Sequence, residues 1–110
     1  MASLSTRRQG YDKYISTAGL AAVPTSLTTV STSNTLLYQL AVNNPTAAGI
    51  TLTVTDGQAS PVTLASLTVP ANSIYAFNWE EGVLMVSGVK WQAGGAGLTG
   101  ELVGFARQTA

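Results

Sequence analysis

The chain contains no cysteine and no histidine. The first absence excludes disulfides and thiolate metal centres. The second removes the commonest general base and the commonest zinc ligand. Charge is scarce too: charged residues make up 9% of the 110 residues, five basic and five acidic, for a formal net charge of zero. An average domain carries about 25%. From Tyr14 to Thr55 there is no charged residue at all. Such neutrality provides no long-range pull toward nucleic acid or anionic lipid. No apolar run is long enough for a membrane-spanning helix, and Met1–Arg8 lacks the hydrophobic stretch of a signal peptide. The expectation is a protein that folds in the cytoplasm where it is made, without nucleic-acid or membrane partners.

What is abundant is threonine, valine, serine and small apolar residues. Branched Cβ atoms favour strands. The length fits one domain, and a domain of this size buries only about two-thirds of its unfolded surface. Two uses of the low charge are open: a surface that packs against neighbours, or a hydroxyl-rich β surface with no partner.

Residues 1–19 differ from the rest. Arg7, Arg8, Tyr11, Lys13 and Tyr14 fall here, with no period of two or 3.6. An extended N-terminal arm is expected, with room for one helical turn around Tyr11 to Ile15. Residues 20–110 are expected to form the β domain. Pro24 opens a first strand over Thr25 to Val30. Thr35 to Val42 follows, placing Leu36, Tyr38, Leu40 and Val42 on one face, and Asn43-Asn44-Pro45 ends it. Ile50-Thr51-Leu52-Thr53-Val54-Thr55 alternates completely before an Asp56-Gly57 turn. Val62–Leu64 and Leu67–Val69 alternate in opposite phase, which requires a bulge at Ala65-Ser66. Ser73 to Trp79 puts Tyr75, Phe77 and Trp79 on one face, and Glu80-Glu81-Gly82 turns the chain. Val83 to Val86 is apolar on both faces, as a doubly buried strand would be. Ser87-Gly88 makes a tight hairpin with Val89 to Gln92. Leu98 to Ala106 is the last strand, with Gly100 and Gly104 allowing close packing. About eight short strands without a helix predict an all-β fold, an antiparallel β-sandwich or jelly roll.

Reactive chemistry has few candidates. Glu80 and Glu81 are adjacent, so they cannot converge on one bond as an acid–base pair. Asp56 has no second acidic ligand nearby for calcium, and its turn role suffices. The hydroxyls lack an activating base. Gly94-Gly95-Ala96-Gly97 has no following Lys-Ser/Thr and no helix, so it is not a phosphate loop. Catalytic, metal and cofactor sites are therefore all assigned as none. Tyr75, Phe77, Trp79 and Trp91 have two readings, a platform for sugar rings or core filling. Core is favoured for Phe77; both stay open for Trp79 and Trp91. Arg7 and Arg8 suit carboxylates on a protein surface, since arginine pairs them in a bidentate way, or belong to an unattached tail. The candidate protein-interface residues are Arg7, Arg8, Tyr11, Lys13, Tyr14, Trp79 and Trp91.

Several stretches carry a resemblance. These are Leu40-Ala41-Val42-Asn43-Asn44, Ile50-Thr51-Leu52-Thr53-Val54-Thr55-Asp56-Gly57 and Leu67-Thr68-Val69-Pro70-Ala71-Asn72-Ser73, then Gly82-Val83, Ser87-Gly88-Val89 and the Gly/Ala-rich loop before the final strand. Over about two-thirds of the chain, Leu36 to Phe105, this layout resembles the decoration or cement proteins of tailed-phage heads. It is a layout of strands and turns without an invariant site, and tail, baseplate and fibre domains share it. The resemblance implies a structural virion protein without enzymatic activity or cofactor, located on the capsid surface. Its partners would be the major capsid protein and copies of itself as a dimer or trimer. It would bridge neighbouring capsid subunits against the pressure of packaged DNA, with the arm reaching a neighbour. A tail or fibre component is one alternative, and a carbohydrate-binding module presenting Trp79 or Trp91 is another.

Overall fold

The structure, a computed structural model, describes residues 10–11, 13–17 and 19–107. Among them every regular element is a strand: β1 (Lys13–Ser16), β2 (Ala21–Ala22), β3 (Thr28–Ser31), β4 (Thr35–Asn44), β5 (Ile50–Asp56), β6 (Thr63–Val69), β7 (Ser73–Met85), β8 (Val89–Ala93) and β9 (Thr99–Ala106). They form two antiparallel sheets. One runs β1-β9-β4-β7, with β2 also paired to β9; the other runs β3-β8-β5-β6. β1 takes Val103–Ala106 of β9 and β2 takes Thr99–Gly100, so the two short strands share one place in the sheet.

Counted that way there are eight places, and their pairing is nested. First meets last, β3 meets β8, β4 meets β7, and β5 meets β6. This nesting is the jelly-roll connectivity, a long hairpin rolled into two facing sheets. The sandwich expected from the alternation is present.

The core lies between the sheets. Leu37, Leu40, Val42 and Leu102 from the first sheet meet Leu52, Val54, Val69, Val89 and Trp91 from the second, all essentially without solvent contact. Alternation explains the cleanest case: Ile50, Leu52 and Val54 point inward along β5 while Thr51 faces solvent, where its hydroxyl meets Thr68 at 3.1 Å. Gly100 and Gly104 face the same interior. A Cβ on Gly100 would stand 3.0 Å from Cζ3 of Trp91, and one on Gly104 would strike the carbonyl oxygen of Leu36. Their bare backbones let β9 sit between β4 and the indole.

Several local expectations are corrected. In place of the helical turn expected around Tyr11 to Ile15, the described residues Lys13–Ser16 form a strand paired to β9, so this part of the arm belongs to the sheet. The strand after Pro24 begins only at Thr28. Leu36 and Tyr38 do not share a face with Leu40 and Val42. A bulge at Tyr38, in the register with both β7 and β9, switches the phase, so Leu37 enters the core instead. The bulge in β6 falls at Leu64, one residue before the expected pair. Glu80-Glu81-Gly82 does not reverse the chain. Trp79 to Gly82 stand opposite Tyr38 alone, a wide bulge inside one continuous strand, with Gly82 at φ 79°. Ser87-Gly88 is not a hairpin either, because β7 and β8 lie in different sheets. Both residues take positive φ, 63° and 113°, and carry the chain across the sandwich end.

Candidate functional site

Among the described residues the buried polar side chains Asn44 and Asp56 are held by internal hydrogen bonds. Asn44, fully buried at the end of β4, donates through Nδ2 to the carbonyls of Ala48 (2.8 Å) and Val69 (2.9 Å). Its Oδ1 accepts from the backbone N–H (3.0 Å) and hydroxyl (2.7 Å) of Thr46. The side chain thereby shapes the β4–β5 connection. Asp56 closes the β5–β6 connection in the same way. Its Oδ2 accepts from Nε2 of Gln58 at 2.7 Å, and its Oδ1 from the backbone N–H groups of Val62 (3.0 Å) and Gln58 (3.2 Å). These bonds, the one from the Gln58 amide foremost, hold the carboxyl below its ordinary value, with a smaller contribution from the positive charge of Lys90. A carboxylate so occupied is a turn fastener.

Among the described residues no three potential ligands of the His, Cys, Asp and Glu types gather to hold a metal ion. Glu80 and Glu81 are exposed on the β7 bulge. No helix is long and apolar enough to cross a membrane among those residues.

What remains as a candidate site is surface, and its chemistry is apolar and aromatic. Two groups stand out on the first sheet. On its outer face, near the β1 edge, Tyr14 meets Phe105 edge-on (5.6 Å between ring centres) and Phe105 meets Tyr38 edge-on (5.9 Å). Tyr14 is 59% exposed. The Arg107 guanidinium lies 5.8 Å from the ring centre of half-buried Tyr11. Lys13 is exposed beside them. On the opposite edge, β7 presents a ladder in which Tyr75 meets Phe77 edge-on at 6.4 Å and Phe77 stacks on Trp79 at 6.3 Å and 19°. Ile74, Tyr75, Ala76 and Phe77 border an open depression of about 310 Å³ there.

The expected interface residues are thus divided. Tyr11, Lys13 and Tyr14 all fall at the β1 edge, with Lys13 and Tyr14 on opposite faces of the strand. Trp79 is half-buried, with part of its ring packed against the core. Trp91 is corrected: at 3% exposure it fills the centre of the sandwich and cannot meet a partner. Arg7 and Arg8 lie outside the described residues. Phe77, expected in the core, is 38% exposed, because β7 is an edge strand and, among the described residues, no strand continues the sheet beyond it. Ile74 (67%) and Leu84 (45%) were missed; both fall on the outer face of β7, and the apolar-on-both-sides stretch from Val83 was the only signal for the second. Neither a family model, nor a curated protein, nor a solved structure matches this chain.

Proposed function

We propose that the chain is a structural virion protein, a capsid decoration protein that sits on the outside of a tailed-phage head and bridges neighbouring major capsid subunits. One observation carries the reading. The large apolar side chains that strands leave exposed, Tyr14 on β1 and Ile74, Phe77 and Leu84 on β7, all belong to the two edge strands of one sheet. A module with adhesive margins on opposite sides touches two neighbours at once, which is the geometry of a bridge. Exposed apolar residues so aligned mark interaction sites. The absence of charge from Ser73 to Trp79 supports it further, since docking along that part of β7 buries no unpaired ion.

Repetition supplies the strength. Each contact is small, but a unit bound at two points on a lattice gains effective concentration for the second. The test is sedimentation of the purified protein with expanded, DNA-free heads of the phage that encodes it. Stoichiometric pelleting is expected; a protein left wholly in the supernatant overturns the reading.

The Phe77–Trp79 stack favours one second reading, a carbohydrate-binding module, because parallel rings suit the faces of sugars. It lost its other tryptophan when Trp91 proved buried. A glycan array decides: saturable binding abolished by Phe77→Ala supports the module, and no binding removes it.

A further inference from the structure

Each sheet of a sandwich has two edge strands, whose outward backbone groups invite pairing unless something blunts them. Most edges here are blunted. β1 and β2 are short and staggered along β9. β3 has four residues and a bulge between Thr29 and Ser31. β6 is bulged at Leu64 and lies between Pro61 and Pro70. β7 is the exception. From Ser73 to Asn78 it pairs with β4 in unbroken register and has no proline, glycine or charge. Only at Glu80-Glu81-Gly82 do charge and a bulge end the flat stretch. The neighbouring edge of the other sheet, Thr63–Val69, is also free of charge, so this side wall is uncharged across both layers.

We infer that this edge is a self-association surface: β7 pairs antiparallel with β7 of a second copy about a two-fold axis at Ala76, making one continuous sheet across the dimer. The sequence complements itself in that register. Directly opposed residues of antiparallel strands share a face, so Tyr75 stands opposite the partner's Phe77, and Phe77 opposite the partner's Tyr75. The aromatic ladder then continues through the axis. Ala76, exposed and small, meets its own copy without a clash. Glu80 falls opposite the partner's Asn72, so the like charges of the two copies stay far apart. A cationic partner strand would suit the glutamates but would gain nothing from the uncharged stretch before them.

The area is adequate for a specific contact. Ser73 to Trp79 spans about 24 Å at ~3.4 Å per residue. With a shortest molecular dimension of 20 Å, side-by-side contact buries on the order of 1,000 Å² over both copies, the lower bound for specific interfaces. The dimer is therefore expected to be reversible and concentration-dependent. It leaves two β1 edges facing away from each other, so a dimer would span two neighbours through its paired β1 edges, with the β7 margins spent on each other.

The absence of cysteine makes the test direct. Ala76→Cys in the full chain places two thiols across the axis, where paired Cα atoms lie about 4.5–5.5 Å apart, within disulfide range. Ser26→Cys, exposed in the β2–β3 connection, is the control. Under mild oxidation Ala76→Cys is expected to form covalent dimers about a hundredfold faster, because pairing raises the effective thiol concentration from about ten micromolar to millimolar order. Sedimentation velocity of the unmodified chain is expected to show a monomer–dimer equilibrium that Ala76→Asp abolishes while the far-ultraviolet spectrum stays unchanged. A monomer at all concentrations, a dimer indifferent to Ala76→Asp, or equal cross-linking of the two cysteine variants overturns the inference.

Discussion

At the scale of residues, Trp91 and Asp56 make opposite kinds of contribution. Trp91 fills the space between the sheets, with Gly100 shaped to admit it. Replacing it by alanine leaves a cavity that two packed sheets cannot close, at a cost of about 3–5 kcal/mol. A small domain has about 5–15 kcal/mol in total, so a large fall in urea midpoint is expected. Asp56 contributes through charge. Its folded carboxyl titrates below the ordinary value near 3.8, so the unfolded chain takes up the proton first as pH falls. The stabilisation is complete above about pH 5 and is lost as pH drops through the folded value. With no histidine in the chain, stability is expected to be flat from pH 8 to about 5 and to fall only in acid. Asp56→Asn is expected to be less stable at pH 7 and to lose less between pH 7 and 3. Parallel losses in urea melts of the two proteins at those pH values would contradict this.

At the scale of elements, legibility followed alternation. β5 could be located to within a residue because Ile50, Leu52 and Val54 alternate with threonine on a strand flanked by neighbours on both sides. β1 could not. Lys13-Tyr14-Ile15-Ser16 carries no period, and what makes it a strand is the backbone of β9, distant in sequence. Val83 to Val86 misled in another way: apolar residues on both faces suggested burial on both, yet Leu84 and Val86 are exposed. Hydrophobicity says that a face prefers cover, not that the same chain supplies it. The site was partly legible for the same reason. Tyr11, Lys13 and Tyr14 were singled out by the unusual composition around them, whereas Trp79 and Trp91 could not be separated without knowing that one strand is an edge and the other is central. Deleting residues 1–19 should then do more than remove a tail. It strips β9 of a partner and removes the Tyr14–Phe105 contact, an aromatic pair of the kind that contributes about 0.5–1.5 kcal/mol alone. A lower melting temperature and association through the bared β9 edge are expected in calorimetry and light scattering; an unchanged melt would show that β1 adds nothing.

At the scale of the whole molecule, the sandwich follows from composition and turn spacing, but the order of strands within it does not. Alternation fixes which residues face inward and is silent about which strand lies beside which. The nested pairing also sets a schedule. β9 is the last of the described strands in chain order, yet it lies inside its sheet, between β4 and the β1/β2 pair. Until Ala106 has cleared the ribosome, β1 and β2 have no neighbour, β4 lacks one of its two, and Leu102 is missing from the core. The β3–β8, β4–β7 and β5–β6 pairs can form earlier, but the roll closes only once β9 has left the exit tunnel. A premature stop ahead of Thr99 would release a product with its interior open to water, a substrate for proteases rather than a shortened version of the protein.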